Sequence, residues 1–428
     1  MRCQGTLPSL LLLACAMSSV ASCRTRTRAV PLEQQLQAVA LALRDGRLEG
    51  ATELLAAARA RHGNQAAVAT WSSVLAELLW RDDDAVREMH AAVRAAVAAG
   101  ASAAEVAELR GRLGDLLFQA GRWGEAWTAL TADPGVSPQR AAFATVAAEL
   151  PSVRQPRGPL LTEQPLLPGD TPEFVCGAGG RQRPFAIDTG TSMTTLGRSF
   201  AEELAVAHRV AAGEALDSGG RKLPIEVGVL PQFQIGDVDM GATPVLVVDD
   251  AALRLRDLFG GAERVPRGVL GLDLLAAMRL SIDPERRSVT LELPRGLPAD
   301  QSVQCVRVDG RCLAPVTIEG VRFWFVLDTG ASHSSLSDTG LARLPDGDAR
   351  AVPTYRRVRT VGGGTVAVRE VRGLVLRCSE ARFAGVTLPV VPRGQGGMFP
   401  VHGVLGIDLL GRCRLTLDRG RARLIAPS

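Results

Sequence analysis

A chain of 428 residues is longer than one hydrophobic core usually organises, and with 46% hydrophobic and 22% charged residues it is an ordinary globular composition, neither disordered nor fibrous. The formal net charge of +4 is small for this length, and Lys222 is the one lysine among the 49 basic residues. With no basic tract and few aromatic rings, nucleic acid is not an expected partner.

The first 23 residues read as an export signal: Arg2, an apolar run from Leu10 to Met17, then small residues up to Val20-Ala21-Ser22-Cys23. That tetrapeptide resembles a bacterial lipobox. The resemblance implies cleavage before Cys23 and a diacylglycerol on its thiol, so that the chain is exported, attached to a bacterial envelope membrane by lipid, and faces the periplasm or the exterior. The alternative is an ordinary secretory signal cut near Ala21 or Ser22. No later segment reaches the ~18 to 20 uninterrupted apolar residues of a membrane span. Beyond residue 23 stand Cys176, Cys305, Cys312, Cys378 and Cys413, with no CxxC or Cys/His cluster, so neither metal nor cofactor is expected. Cys305 and Cys312 either staple a hairpin or remain buried thiols.

From residue 32 to 150 the apolar period is helical. Leu36, Val39, Ala40 and Leu43 share one face, as do Leu109, Leu113, Leu116, Leu117 and Ala120. Turns at Asp45-Gly46-Arg47, Arg81-Asp82-Asp83-Asp84 and Ala120-Gly121-Arg122 are each followed by an alanine, at Ala51, Ala85 and Ala126. The spacing, and Ala120-Gly121-Arg122-Trp123-Gly124-Glu125-Ala126 in particular, resembles tetratricopeptide repeats and implies an array of helical hairpins. Such an array either docks a protein partner or acts as a spacer.

Residues 151–172 hold six prolines and read as a stiff, irregular linker. Two segments of short strand-like runs follow, 173–297 and 302–428, and they repeat each other. Phe185-Ala186-Ile187-Asp188-Thr189-Gly190-Thr191-Ser192 recurs 140 residues later as Phe325-Val326-Leu327-Asp328-Thr329-Gly330-Ala331-Ser332. Gly268-Val269-Leu270-Gly271-Leu272-Asp273 recurs 135 residues later as Gly403-Val404-Leu405-Gly406-Ile407-Asp408. Two ordered matches at nearly one offset mean duplication.

An apolar strand ending in Asp-Thr-Gly-Xaa-Ser, followed after about 80 residues by two apolar residues and Gly, resembles the retropepsin-like and pepsin-like aspartic peptidases, over about 158–428 of this chain. The resemblance implies a helical array followed by a two-lobed, mainly β acid-protease fold, a fused retropepsin-like dimer working as a monomer with its lobes paired within the chain. It implies an endopeptidase acting on peptide or protein through Asp188 and Asp328. Thr189 and Thr329 would lock the two loops together, Gly190 and Gly330 would allow their close approach, and Ser192 and Ser332 would bond the outer carboxylate oxygens. Flap tips are expected at Gly219-Gly220 and Gly363-Gly364; Tyr355, the only tyrosine, lies short of the second. Other readings are a non-catalytic peptide-binding or scaffold protein that keeps the fold, and a pairing of lobes between two molecules.

A third Asp-Thr-Gly, at Asp338, follows Ser335-Leu336-Ser337 rather than an apolar strand and reads as a surface turn or helix cap. Asp273 and Asp408 read as helix-start residues. His333, beside the second motif, lacks the elbow of a serine nucleophile and reads as a subsite-lining or exposed side chain.

Overall fold

The computed structural model describes residues 2–3, 30–132, 135–159, 161–169, 171–216, 222–253, 266–359, 365–392 and 397–426. Cys23 and both flap tips, Gly219-Gly220 and Gly363-Gly364, lie outside them. An N-terminal helical region is followed by two β-barrel lobes.

Three helical hairpins and a seventh helix form the first region: α1 (Leu32–Arg44) with α2 (Leu48–His62), α3 (Ala66–Leu78) with α4 (Asp82–Ala98), α5 (Ala103–Gln119) with α6 (Trp123–Thr131), then α7 (Pro138–Glu149). Local chemistry sets several starts. Ser102 and Glu105 make a reciprocal capping box on α5, and Ser137 caps α7 with a proline in its first turn. Ala51, Ala85 and Ala126 are fully buried in the first turns of α2, α4 and α6, where only a small side chain lets the paired helix approach. The turns before these helices use a left-handed residue: Gly46 (φ 72°), Trp80 (φ 60°) and Gly121 (φ 72°). Trp80 is unusual, because a bulky side chain there is strained.

Each lobe is built on a buried strand that leads to its Asp-Thr-Gly motif. Arg181–Ile187 pairs antiparallel with Glu173–Ala178 and parallel with Gly268–Leu270; Val321–Leu327 pairs with Arg311–Ile318 and Gly403–Leu405 in the same way. Phe185 and Phe325 are fully buried, each stabilising its lobe by roughly 1.5–3 kcal/mol. Long strands, Lys222–Ile235 and Thr365–Cys378, pair on both sides and close the lobes.

A third sheet joins the lobes. Arg279–Asp283 of the first pairs antiparallel with Arg414–Asp418 of the second through Leu280–Leu417, Ser281–Thr416 and Ile282–Leu415. The Ser281 and Thr416 hydroxyls meet 3.1 Å apart, buried at the centre of this approximate two-fold. Leu161–Pro165, expected within an irregular linker, is the outer strand of this sheet on Ser288–Glu292. Proline is tolerated there because an edge strand has one neighbour. Cys176, Cys305, Cys312, Cys378 and Cys413 are free and buried, so Cys305 and Cys312 do not staple the hairpin. A hydrogen bond with Cys312, together with burial, pushes the Cys305 thiol well above its ordinary value.

The helical array packs against both lobes. Its first half buries Leu43, Trp71 and Val74 with Val306, Trp324 and Phe399 of the second lobe, and Trp324 Nε1 donates to the Gly46 carbonyl at 3.2 Å. Arg307 bonds both Asp82 oxygens at 2.6 and 3.1 Å and stacks on Trp80 at 4.2 Å. The other half, led by α7, packs on Ala207–Leu216 and Lys222–Ile235 of the first lobe. Trp80 also presses on Gly420 (φ 73°), where an added methyl would overlap the indole. Gly420→Ala should therefore cost about 1–3 kcal/mol in thermal or denaturant unfolding, with part restored by adding Trp80→Gly. Unchanged stability of the single variant would show that Trp80 is not wedged there.

Candidate active site

Two buried strands end at the same point. The amide of Asp188 donates to the Leu270 carbonyl at 3.1 Å and that of Asp328 to Leu405 at 3.0 Å, so each Asp leaves its strand in a fixed direction. A tight turn follows, with Thr191 N donating to Asp188 O and Ala331 N to Asp328 O. A methyl group on Gly190 would collide with the Asp328 carboxyl carbon, and one on Gly330 with that of Asp188. Each carboxyl thus lies over the opposite glycine, and no larger residue fits either position.

The threonines cross between the loops. Thr189 Oγ1 donates to the Leu327 carbonyl at 2.8 Å and accepts from Thr329 N at 3.1 Å. Thr329 Oγ1 donates to the Ile187 carbonyl at 2.7 Å and accepts from Thr189 N at 3.1 Å. Both threonines are buried. Every donor and acceptor in this ring of four bonds belongs to the other lobe, so neither loop completes it alone.

Within the cleft Asp188 Oδ1 accepts from Gly190 N at 2.8 Å, while Asp328 Oδ1 accepts from Gly330 N at 3.1 Å and Ala331 N at 2.9 Å. Burial, then the charge of Asp328, pushes the Asp188 carboxyl up to about 7, and the backbone bond from Gly190 opposes the rise. Two carboxyls this close hold a proton between them, and they titrate as a pair.

A second duplicated device holds each loop from behind. Asp273 Oδ1 accepts from Thr194 N at 2.8 Å and Thr194 Oγ1 at 2.9 Å, and that hydroxyl accepts from Gly271 N at 3.2 Å. Asp408 Oδ1 accepts from Ser334 N at 2.8 Å and Ser334 Oγ at 2.7 Å, and Ser334 Oγ accepts from Gly406 N at 2.9 Å. Asp273 and Asp408 do open short helical turns, as expected, but each also latches the Asp-Thr-Gly loop to the apolar-apolar-Gly strand. Sequence analysis missed Thr194 and Ser334. Their signal is a shared offset of six residues from Asp188 and Asp328. In the first lobe Arg154 also donates to the Asp273 carbonyl, while stacking at 5.2 Å on Trp123 of α6.

Ser332 falls elsewhere. Ser332 Oγ lies 3.0 Å from His333 Nδ1 on the surface, not on a carboxylate, and Asp328 Oδ1 accepts from the Gly330 and Ala331 amides. Ser192 lies against Gly310 of the other lobe, and its carbonyl accepts from Asp273 N at 3.2 Å. The third Asp-Thr-Gly opens the helix Asp338–Arg343, capped by Ser337 Oγ accepting from Gly340 N at 3.0 Å.

Residues 175–274 and 314–409, one stretch in each lobe, match the family model described as aspartyl protease. The two lobes have a retropepsin-like fold. Among solved structures, the retropepsin-like aspartic protease of Rickettsia conorii is 17% identical, with 33% of this chain and 95% of that one covered and a TM-score of 0.23. Conglutin gamma, a basic 7S globulin of lupine seeds, is 10% identical, with 63% of this chain and 96% of that one covered and a TM-score of 0.34. No curated protein matches the chain in sequence.

Because each threonine hydroxyl of this retropepsin-like pair serves a buried carbonyl and a buried amide, Thr189→Val or Thr329→Val should cost about 1–3 kcal/mol per stranded group in denaturant unfolding. The serine variants, which keep the hydroxyl, should lose much less. Equal loss from valine and serine would show that the methyl contacts matter and the crossed bonds do not.

Proposed function

We propose that the chain is an aspartic endopeptidase in which Asp188 and Asp328 activate water against a peptide bond. The observation that carries this reading is the placement of each carboxyl over the other loop's glycine inside the ring of threonine hydrogen bonds. The ionised member of the pair takes a proton from a water between them while the protonated member donates to the scissile carbonyl. The water oxygen joins the carbonyl carbon and gives a tetrahedral diol. Its collapse breaks the C–N bond as the pair returns a proton to the leaving amine. A protein using the lobes only to bind peptide gains nothing from two facing carboxyls, which cost stability.

The charge state sets the pH dependence. Below about 7 the pair keeps one proton, and above it both carboxyls ionise and the acid is lost, so cleavage should fall as pH rises through about 7. The folded chain holds a proton on Asp188 that the unfolded chain releases at its ordinary value of 3.8. Stability therefore declines from about pH 4 to about pH 7 through this group. Asp188→Asn should lower turnover of a mixed peptide library by about 10²- to 10⁴-fold. The same variant should unfold at a higher temperature than the wild type at pH 8. Normal cleavage by the variant, or no cleavage by the wild type at any pH, overturns the assignment.

Lipid attachment at Cys23 and an envelope location facing the periplasm or exterior complete the proposal, supported by the Val20-Ala21-Ser22-Cys23 pattern. Cys23→Ala should move the protein from the membrane fraction to the soluble fraction. Unchanged membrane retention contradicts lipid anchoring.

A further inference from the structure

The helical array reaches the first Asp-Thr-Gly loop by two routes. The direct one starts where residues 152–154 cross the turn between α5 and α6: Gly124 N donates to the Ser152 carbonyl at 3.0 Å and Arg154 N to the Gly121 carbonyl at 2.8 Å. A methyl group on Gly121 would stand 2.9 Å from Arg154 Cβ. The turn therefore fixes where the Arg154 side chain begins. From that anchor its guanidinium stacks at 5.2 Å on the fully buried Trp123 and donates to the Asp273 carbonyl in the first lobe. Arg154 Nε and Asp273 Oδ2 are both buried without a hydrogen-bond partner. A guanidinium placed for stability alone would gain more from the carboxylate than from the main chain. Its contact instead pins the backbone of Asp273.

That backbone is what the loop rests on. Asp273 N donates to the Ser192 carbonyl at 3.2 Å and Leu272 N to the Thr191 carbonyl at 3.0 Å, while Asp273 Oδ1 takes Thr194 N and Oγ1. Residues three, four and six positions after Asp188 are thus held by Leu272 and Asp273. The second route runs through the other lobe. Arg307, bonded to Asp82 and stacked on Trp80, leads into a hairpin turn whose Gly310 (φ 68°) lies so close to Ser192 that a Cβ would stand 2.5 Å from the serine Cβ. The second loop has no such backing. Among the described residues no side chain donates to the Asp408 carbonyl, and Ser332, the counterpart of Ser192, is exposed.

We infer that Arg154 is a positioning residue for the dyad: acting through Asp273, it sets the first Asp-Thr-Gly loop against the second and makes the helical array a working part of the active site. This rests on the peptidase reading. A displacement of a catalytic group by about 1 Å can cost about 10²-fold in rate, so the effect falls on turnover. Substrate affinity is set elsewhere, because Arg154 stands behind the loop.

The test compares full-length wild type and Arg154→Ala on one octapeptide that the wild type cleaves. The variant should lose about 10- to 100-fold in kcat with KM within about twofold, and Arg154→Lys, which keeps the cation, should lose less. Arg154 and Asp273 both line a cavity of about 990 Å³ between the array and the lobes, wide enough to admit a small guanidinium. Ethylguanidinium should therefore restore kcat of Arg154→Ala several-fold and leave Asp188→Asn unchanged. Unchanged kcat in Arg154→Ala, or a loss that ethylguanidinium does not touch, overturns the positioning role. If Arg154→Ala does not fold, Arg154→Lys carries the same comparison.

A readout without turnover separates this from the peptidase reading. With ¹³C-labelled aspartate, the carboxyl signal missing from Asp188→Asn should titrate near 7 in the wild type. In Arg154→Ala it should titrate about 1 pH unit lower, because a displaced loop admits water and parts the two charges. That difference, with no cleavage by the wild type, leaves the positioning role standing and removes the peptidase. Identical titrations remove the positioning role whether or not peptide is cut.

Discussion

Two threonine hydroxyls decide where everything else at the centre of this molecule can be. Thr189 and Thr329 each bond the backbone on both sides of the other lobe's aspartate, at 2.7–3.1 Å and out of solvent. Buried hydrogen bonds of this kind are costly to leave unmade, so the loops are either fully engaged or the interface is open. Engagement holds the aspartates together out of solvent, and burial, then the facing charge of Asp328, pushes the Asp188 carboxyl up to about 7. The outer supports repeat the same economy: Asp273 with Thr194 and Asp408 with Ser334 fix each loop to its own lobe, and the Ser281–Thr416 contact fixes lobe to lobe.

On this symmetric base sits an asymmetric cover. The helical array holds the second lobe through Trp80, Asp82 and Gly46 and the first through α7. Trp80 adopts a glycine-like conformation at the turn where its two counterparts are glycines, and its ring gains a position between Arg307 and Gly420 in return. Backbone strain kept by a bulky residue signals that the surroundings over-determine it. Arg154 carries the same connection inward, from Trp123 to the carbonyl of Asp273 behind the first loop.

Features carried by contiguous letters were readable in advance. The doubled Asp-Thr-Gly and apolar-apolar-Gly motifs predicted two lobes and the facing of two carboxyls, and the recurrent alanines predicted hairpins whose second helices bury Ala51, Ala85 and Ala126. Features that depend on distant partners were not. Leu161–Pro165 looks like linker because Pro165 and the exposed Leu161 suit an edge, and only its pairing with Ser288–Glu292 makes it a strand. Ser332 shares its offset with Ser192, yet its hydroxyl turns to His333, a neighbour its repeat partner lacks. The latches at Thr194 and Ser334 were visible in the aligned halves but carry no family letter pattern of their own. The docking of helices on both lobes left no periodic trace, since it rests on single residues such as Trp80 and Trp324.

The central claim is that one chain holds one dyad, made from its own two lobes and sharing one proton. Calorimetric titration with a statine-type inhibitor, whose hydroxyl takes the place of the attacking water between the carboxyls, tests it most directly. One inhibitor bound per chain, by a protein that sediments as a monomer, with affinity falling as pH rises through about 7, is the expected result. One inhibitor per two chains, or binding that is indifferent to pH across that range, would contradict it.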